Sequence, residues 1–192
     1  MADSVEIRAL NDGDPETMSA AFKGIGAGKP VAQYRRYLAE QLAGTRACLV
    51  ATLDRQFAGY VTVNWAPTYC AFVEQQIPEI QDLNVLPGFR RKGLATRLLD
   101  RAEEEISRRS GVAGIGVGLH PGYNQAQRLY AKRGYIPDGR GVTYRDRYVE
   151  EGAPVVLDDD LVLHLTKRLE QQPVRDEASG RLRGLLSSRV TG

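Results

Sequence analysis

Residues 5–10 alternate apolar and polar side chains, the period-two pattern of a strand with one buried face. Asn11 to Pro15 supply turn residues that can cap a helix with proline in its first turn. Met18, Ala21, Phe22 and Ile25 then keep one helical face apolar, until Gly24, Gly26 and Gly28 loosen the chain. Pro30 opens a second helix with Val31, Tyr34, Leu38 and Leu42 as its buried stripe and Gly44 at its end. Residues 48–53 and 57–65 read as strands about a tight turn at Asp54 and Arg55, a hairpin. Pro67 begins a less regular stretch, and residues 79–85 form the next strand, ended by Pro87 and Gly88. From Lys92 the period changes. Leu94, Leu98, Ala102 and Ile106 recur every four residues, with Ala95 and Leu99 beside them, and Gly111 stops this helix. A short apolar strand over 114–119 follows, then a helix over 123–133 closed by Gly134. Residues 143–149 alternate Tyr and Val with charge as a strand, and 161–169 are a late apolar strand behind Asp158, Asp159 and Asp160.

This order predicts the α/β class: a mixed central sheet of roughly six to seven strands with about four helices on its faces. One domain is expected over residues 1–170. Residues 171–192 are polar, broken by Pro173, Gly180 and Gly184, with a weak apolar set in Leu182, Leu185, Leu186 and Val190. They predict a flexible tail, or a short helix docking on a partner.

A chain of 192 residues with 42% hydrophobic content suffices for one core and not for two full-sized domains. Its 26 basic and 24 acidic residues leave a net charge of +2, too little for a global field that would hold a polyanion, so no nucleic-acid partner is expected. Cys48 and Cys70 lie in apolar surroundings without the close Cys/His spacing of a zinc site, and both read as core thiols. His120 and His164 are too far apart in sequence for a recognisable ligand pair and read as structural, so no metal is assigned. The N-terminus lacks an apolar run of signal-peptide length, and no stretch approaches the ~20 apolar residues of a membrane span. A soluble cytoplasmic protein without a membrane partner is expected.

The candidate chemistry begins where the 79–85 strand runs through Leu86, Pro87, Gly88 and Phe89 into the long helix. A helix N-terminus carries four N–H groups without internal partners and about half a positive charge, a ready phosphate site. Gly93 and Ala95 keep side chains small where a pyrophosphate must approach, and Arg90, Arg91 and Lys92 can neutralise it. The nucleotide P-loop pattern is absent, and no GxGxxG follows a strand, so coenzyme A fits better than ATP or NAD.

The run LNVLPGFRRKGLATRLL over residues 83–99 resembles the acetyl-CoA signature of the GNAT superfamily, whose Q/RxxGxG/A core reads here as Arg90, Gly93 and Ala95. A second run, AQRLYAKRGY over 126–135, is similar to the family's later segment, and the resemblance extends roughly over residues 5–169. Tyr123 stands where the family often places an asparagine, and Asn124 follows it. The resemblance implies acetyl-CoA as co-substrate, held by Leu83, Val85, Arg90, Arg91, Lys92, Gly93, Leu94, Ala95, Thr96 and Asn124.

An amine with a pKa of about 10.4 is mostly protonated at neutrality and cannot attack a thioester, so a base is required. Glu79 matches the position where many family members hold a catalytic glutamate, acting directly or through water, and burial would fit it to the task. Glu74 and Asp82 are the reserves. The resemblance further implies an oxyanion site at a backbone N–H near Val85, and Tyr130 as donor to the departing sulfur. Direct transfer then proceeds in a ternary complex. The glycine-rich loop over residues 24–29 would border the acceptor cleft, and Glu150, Glu151 and Asp158 to Asp160 either draw a cation toward it or form a solvated edge. The acceptor expected is a small-molecule amine. Alternatives are a peptide or protein amine, or a non-catalytic acyl-CoA sensor, and a homodimer is left open.

Overall fold

The structure is a computed structural model, and it describes residues 4–26 and 28–170. The tail expected over 171–192 lies outside the described residues. Strands β1 (Val5–Ala9), β2 (Arg46–Leu53), β3 (Gln56–Asn64), β4 (Glu79–Val85), β5 (Val112–Gly118), β6 (Ile136–Tyr144), β7 (Arg147–Tyr148) and β8 (Leu161–Arg168) form one sheet in the order β1-β2-β3-β4-β5-β8-β6-β7. Every neighbouring pair is antiparallel except β4 and β5. The helices are α1 (Asp14–Lys23), α2 (Val31–Leu42), α3 (Cys70–Glu74), α4 (Leu94–Ser107) and α5 (Asn124–Lys132).

The mixed sheet agrees with the expected class, but it has eight strands, and the described residues hold five α-helices. Two local features account for the difference. Residues 143–149 are a hairpin rather than one strand, because Arg145 and Asp146 take φ of 54° and 61° and reverse the chain between β6 and β7. The irregular stretch after Pro67 contains α3, whose five residues are too few to display a helical period. Its inner face is Ala71 and Phe72, and Cys70 points the other way. Cys70 is therefore exposed, which corrects its reading as a core thiol. Cys48 is buried, and burial pushes its thiol up to about 12.

Period-two alternation divides the core between the two sheet faces. Leu49, Ala51, Val61, Val63, Ala113, Ile115 and Val117 meet Leu98, Leu99, Ala102 and Ile106 of α4 on one face. Cys48, Val50 and Tyr60 meet Met18, Phe22, Tyr34 and Tyr37 of α1 and α2 on the other. The four α4 side chains are fully buried; Leu98, Leu99 and Ile106 contribute about 1.5–3 kcal/mol each, and Ala102 less. That packing fixes the start of α4 beside the ends of β4 and β5.

Candidate active site

The parallel register of β4 and β5 consists of Glu79 with Gly114 and Ile80 with Ile115, and it stops there. On its other edge β4 carries a bulge, with Asp82 at φ 54° and the pairing to β3 shifted between Tyr60 and Thr62. Twisted by the bulge, β4 departs from β5 beyond Ile80. The opening belongs to a cleft of about 1000 Å³ that β4, the starts of α4 and α5, and the β6–β7 turn all line.

One end of the cleft is the start of α4. Gly93 occupies the N-cap at φ 77°, a left-handed conformation that favours glycine, and no side chain caps the helix. The first-turn N–H groups therefore remain available to a ligand. Arg90, Arg91, Gly93, Leu94, Ala95 and Thr96 line this end, together with Leu83 and Val85 of β4. The Arg90 Nε donates to the Val85 carbonyl at 3.1 Å, joining the basic run to the end of β4. Lys92 is exposed and does not line the cleft. Asn124, the first residue of α5, does line it, and Tyr123 lies over Gly118, where a Cβ would come within 2.4 Å of the ring.

Glu79 lies deeper, 7% exposed, and lines the same cleft. Burial raises its pKa to about 7, against a lowering hydrogen bond from the Gln81 Nε2, which donates to Glu79 Oε2 at 2.8 Å. Asp146 and Asp82 push further up, and Arg46 pulls down. Gly116 makes room beside the carboxylate: a Cβ there would meet Val162 Cγ1 at 2.9 Å and Glu79 Oε1 at 3.5 Å. Tyr130 also lines the cleft, and burial, with Tyr123 nearby, raises its hydroxyl, so it stays protonated at neutrality. Of the reserve carboxylates, Asp82 lines the cleft but is held by Lys29 at 2.5 Å and by the Tyr37 hydroxyl. Glu74 stands outside the cleft lining, 3.5 Å from Arg140.

Arg46, Gln81 and Asp146, which the sequence motifs do not single out, and His164, read from the sequence as structural, complete the candidate site. Arg46 and Gln81 reach Glu79 through hydrogen bonds, Asp146 comes from the β6–β7 turn, and His164 stacks on Tyr69 at 3.7 Å with Nδ1 buried and unpartnered. The strand alternation that puts Gln81 on the face of Glu79 was available as a signal; the others depend on long-range contacts. Asp159 lines the cleft and accepts from His120 Nε2 at 2.8 Å, whereas Glu150 and Glu151 lie outside the lining. Because the Gly122 N–H donates to His120 Nδ1, the Nε2–H tautomer donates to Asp159. Among the described residues no group of three or more His, Cys, Asp or Glu side chains is arranged to hold a metal, and no helix is long and apolar enough to cross a membrane.

The model of the acetyltransferase (GNAT) family matches residues 15–135. An uncharacterized N-acetyltransferase from Archaeoglobus fulgidus is 34% identical over 88 residues, 44% of this chain and 56% of that protein, so the match spans little more than half of the relative. The ribosomal-protein-S18-alanine N-acetyltransferase of Escherichia coli has a TM-score of 0.63 at 13% identity, covering 90% of this chain and 98% of that one. Spermidine N-acetyltransferase of Vibrio cholerae, solved in complex with CoA and spermine, has a TM-score of 0.62 at 15% identity, covering 87% and 96%. At such identities the likeness to both structures is one of fold.

Proposed function

The chain belongs to the acetyltransferase (GNAT) family, and on that premise we propose that it moves the acetyl group of acetyl-CoA to the primary amine of a small cationic molecule. The observation that carries this reading is a buried carboxylate, Glu79, titrating at about 7 in the same cleft as an uncapped, basic helix start. The cleft fits coenzyme A in its parts: first-turn N–H groups and Arg90 and Arg91 for the pyrophosphate, and the gap beyond Ile80 for the pantetheine arm. Asn124 and Leu83 stand beside that arm, and Lys92 adds charge from outside the lining.

Glu79 takes a proton from the acceptor ammonium, directly or through water. The freed nitrogen attacks the thioester carbonyl carbon, and a backbone N–H near Val85 stabilises the oxyanion. As the tetrahedral species collapses, the C–S bond breaks, Tyr130 gives its proton to the departing sulfur, and the nitrogen sheds its remaining extra proton to re-protonate Tyr130 by way of water, leaving the neutral amide and the CoA thiol. No side-chain nucleophile takes part. A cationic acceptor is favoured because Asp146 lines the cleft with Glu79, whereas Asp82 is already paired with Lys29.

Calorimetric titration of acetyl-CoA into wild type and Gly93→Glu tests the donor site, followed by thiol release over a panel of small amines, amino acids and peptides. Wild type is expected to bind with Kd of about 1–100 μM, in the range of ordinary substrate affinities. Gly93→Glu strains the left-handed position and adds charge repulsion to the pyrophosphate, so binding is expected to be lost. Thiol release should depend on a small cationic amine and fall about tenfold in Tyr130→Phe. Absence of binding by folded wild type overturns the reading, and turnover with peptides alone transfers it to protein acceptors.

A further inference from the structure

Arg46 is buried at 8% exposure at the start of β2, far from Glu79 in sequence. A buried guanidinium has only donors to offer and needs acceptors for them. Its Nε donates to Glu40 Oε2 at 2.5 Å, and its Nη1 donates to Thr62 Oγ1 at 2.9 Å and Gln81 Oε1 at 3.0 Å. Its plane lies over the Tyr37 ring, 4.8 Å from the centroid, which holds the fork in place. Beyond Gln81 the chain continues, since the Gln81 Nε2 donates to Glu79 Oε2 at 2.8 Å.

The order of donors in this chain has a direction. A primary amide has one accepting end and one donating end, and Arg46 can satisfy only the accepting end. The donating end is therefore turned toward Glu79. If the amide rotated by half a turn, two donors would meet at Arg46, and only a protonated Glu79 could pair with the oxygen then facing it.

We propose that Arg46 is a positioning residue for Glu79: by engaging the Gln81 oxygen it keeps the Gln81 amino group facing the carboxylate, so that Glu79 is oriented as a proton acceptor. This rests on the reading of Glu79 as the base. Burial favours the neutral acid, and the Arg46–Gln81 chain opposes it, which leaves a base that is half ionised near neutrality. The other groups about Glu79 are Asp82 on its own strand, Asp146 from the β6–β7 turn and His164 from β8 across Gly116. Asp82 and Asp146 raise the carboxylate, and burial lowers His164, which stays neutral. Arg46 is the cation that lowers Glu79, and Lys29, which lines the same cleft, is paired with Asp82.

The test follows the Glu79 carboxyl by NMR in full-length protein labelled with carbon-13 at glutamate, assigned by its loss in Glu79→Gln, alongside the pH dependence of kcat/KM. In Arg46→Met the midpoint is expected to rise by about one pH unit, and the acid limb of the rate profile to rise with it. In a Gln81→Met background the further change from Arg46→Met is expected to be much smaller, because the amide that transmits it is gone. An unchanged midpoint in folded Arg46→Met overturns the proposal, as does full additivity, which would mean the charge acts directly. Should Arg46→Met not fold, Arg46→Lys keeps a charge opposite Glu40 without a fork to span Glu40 and Gln81, and it carries the same expectation of an upward midpoint and the same overturning result. A midpoint that rises while the rate limb stays put upholds the orientation of Glu79 and removes Glu79 as the base.

Discussion

Glu79 and Glu103 are both largely withdrawn from water, and their surroundings drive their acidity in opposite directions. Around Glu79 the burial effect prevails, because one amide donor and a more distant guanidinium offset only part of it. Around Glu103 burial also pushes the carboxyl up, but hydrogen bonds and charge from Arg133 and Lys167 outweigh it and leave the group below the usual carboxylate range. Arg133 and Lys167 lie 2.8 and 2.6 Å from Glu103 Oε2, and the Tyr135 hydroxyl donates to Oε1 at 3.1 Å. Glu103 ties α4 to α5 and β8. A satisfied buried carboxylate holds elements together, and an under-satisfied one is left free to exchange a proton.

The largest expected effect separates the two by function. Glu79→Gln should lower kcat/KM by on the order of 1000-fold, with the wild-type rate falling below pH 7, while Glu103→Gln should leave the rate per folded molecule within about twofold. Steady-state kinetics across pH 5 to 9 measure both; a large rate loss in Glu103→Gln alone would break the contrast. Next in size is a gain in stability. Ionising Glu79 in the folded state is penalised between pH 4.5 and about 7, so Glu79→Gln should be more stable than wild type by about 3 kcal/mol at pH 8 and close to equal at pH 4.5. Paired thermal melts check it, and equal Tm values at pH 8 would mean that Glu79 carries no strain. Smallest is a loss of stability. Glu103→Gln leaves Lys167 without its charged partner and Arg133 with Asp100 alone, and should cost about 1–2 kcal/mol at pH 7. Because the folded carboxyl lies below its unfolded value of 4.5, this difference should be full above pH 4.5 and shrink as pH falls through the folded value. Denaturant titrations at pH 7 and pH 4 read it.

What could be read from the chain alone follows the range of the interactions. The four-residue repeat from Leu94 to Ile106 and the alternation over 79–85 are local patterns, and both elements stand where those patterns put them. The basic run before Gly93 was legible for the same reason. The β6–β7 turn was hidden because Arg145 and Asp146 adopt positive φ without glycine or asparagine, although Asp54 and Arg55 do the same between apolar runs long enough to reveal their hairpin. Arg46 and Gln81 are 35 residues apart in the chain. No periodicity links them, and their pairing exists only because β2, β3 and β4 lie side by side. Lys29 was legible only as a loop end, and its bond to Asp82 spans 53 residues.

In mechanical terms the sheet is two panels, β1 to β4 and β5 to β7 with β8 among them, joined along a seam of two residue pairs. The other strand pairs of each panel, apart from the short β6–β7 tip, are stitched over five or more pairs. Side chains of α4 reach across the seam from one side, as a batten does across two boards. On the proposed reading, a donor molecule lodged between the panels would be a fastener as well as a reactant, tightening the joint while it stays and releasing it when it leaves.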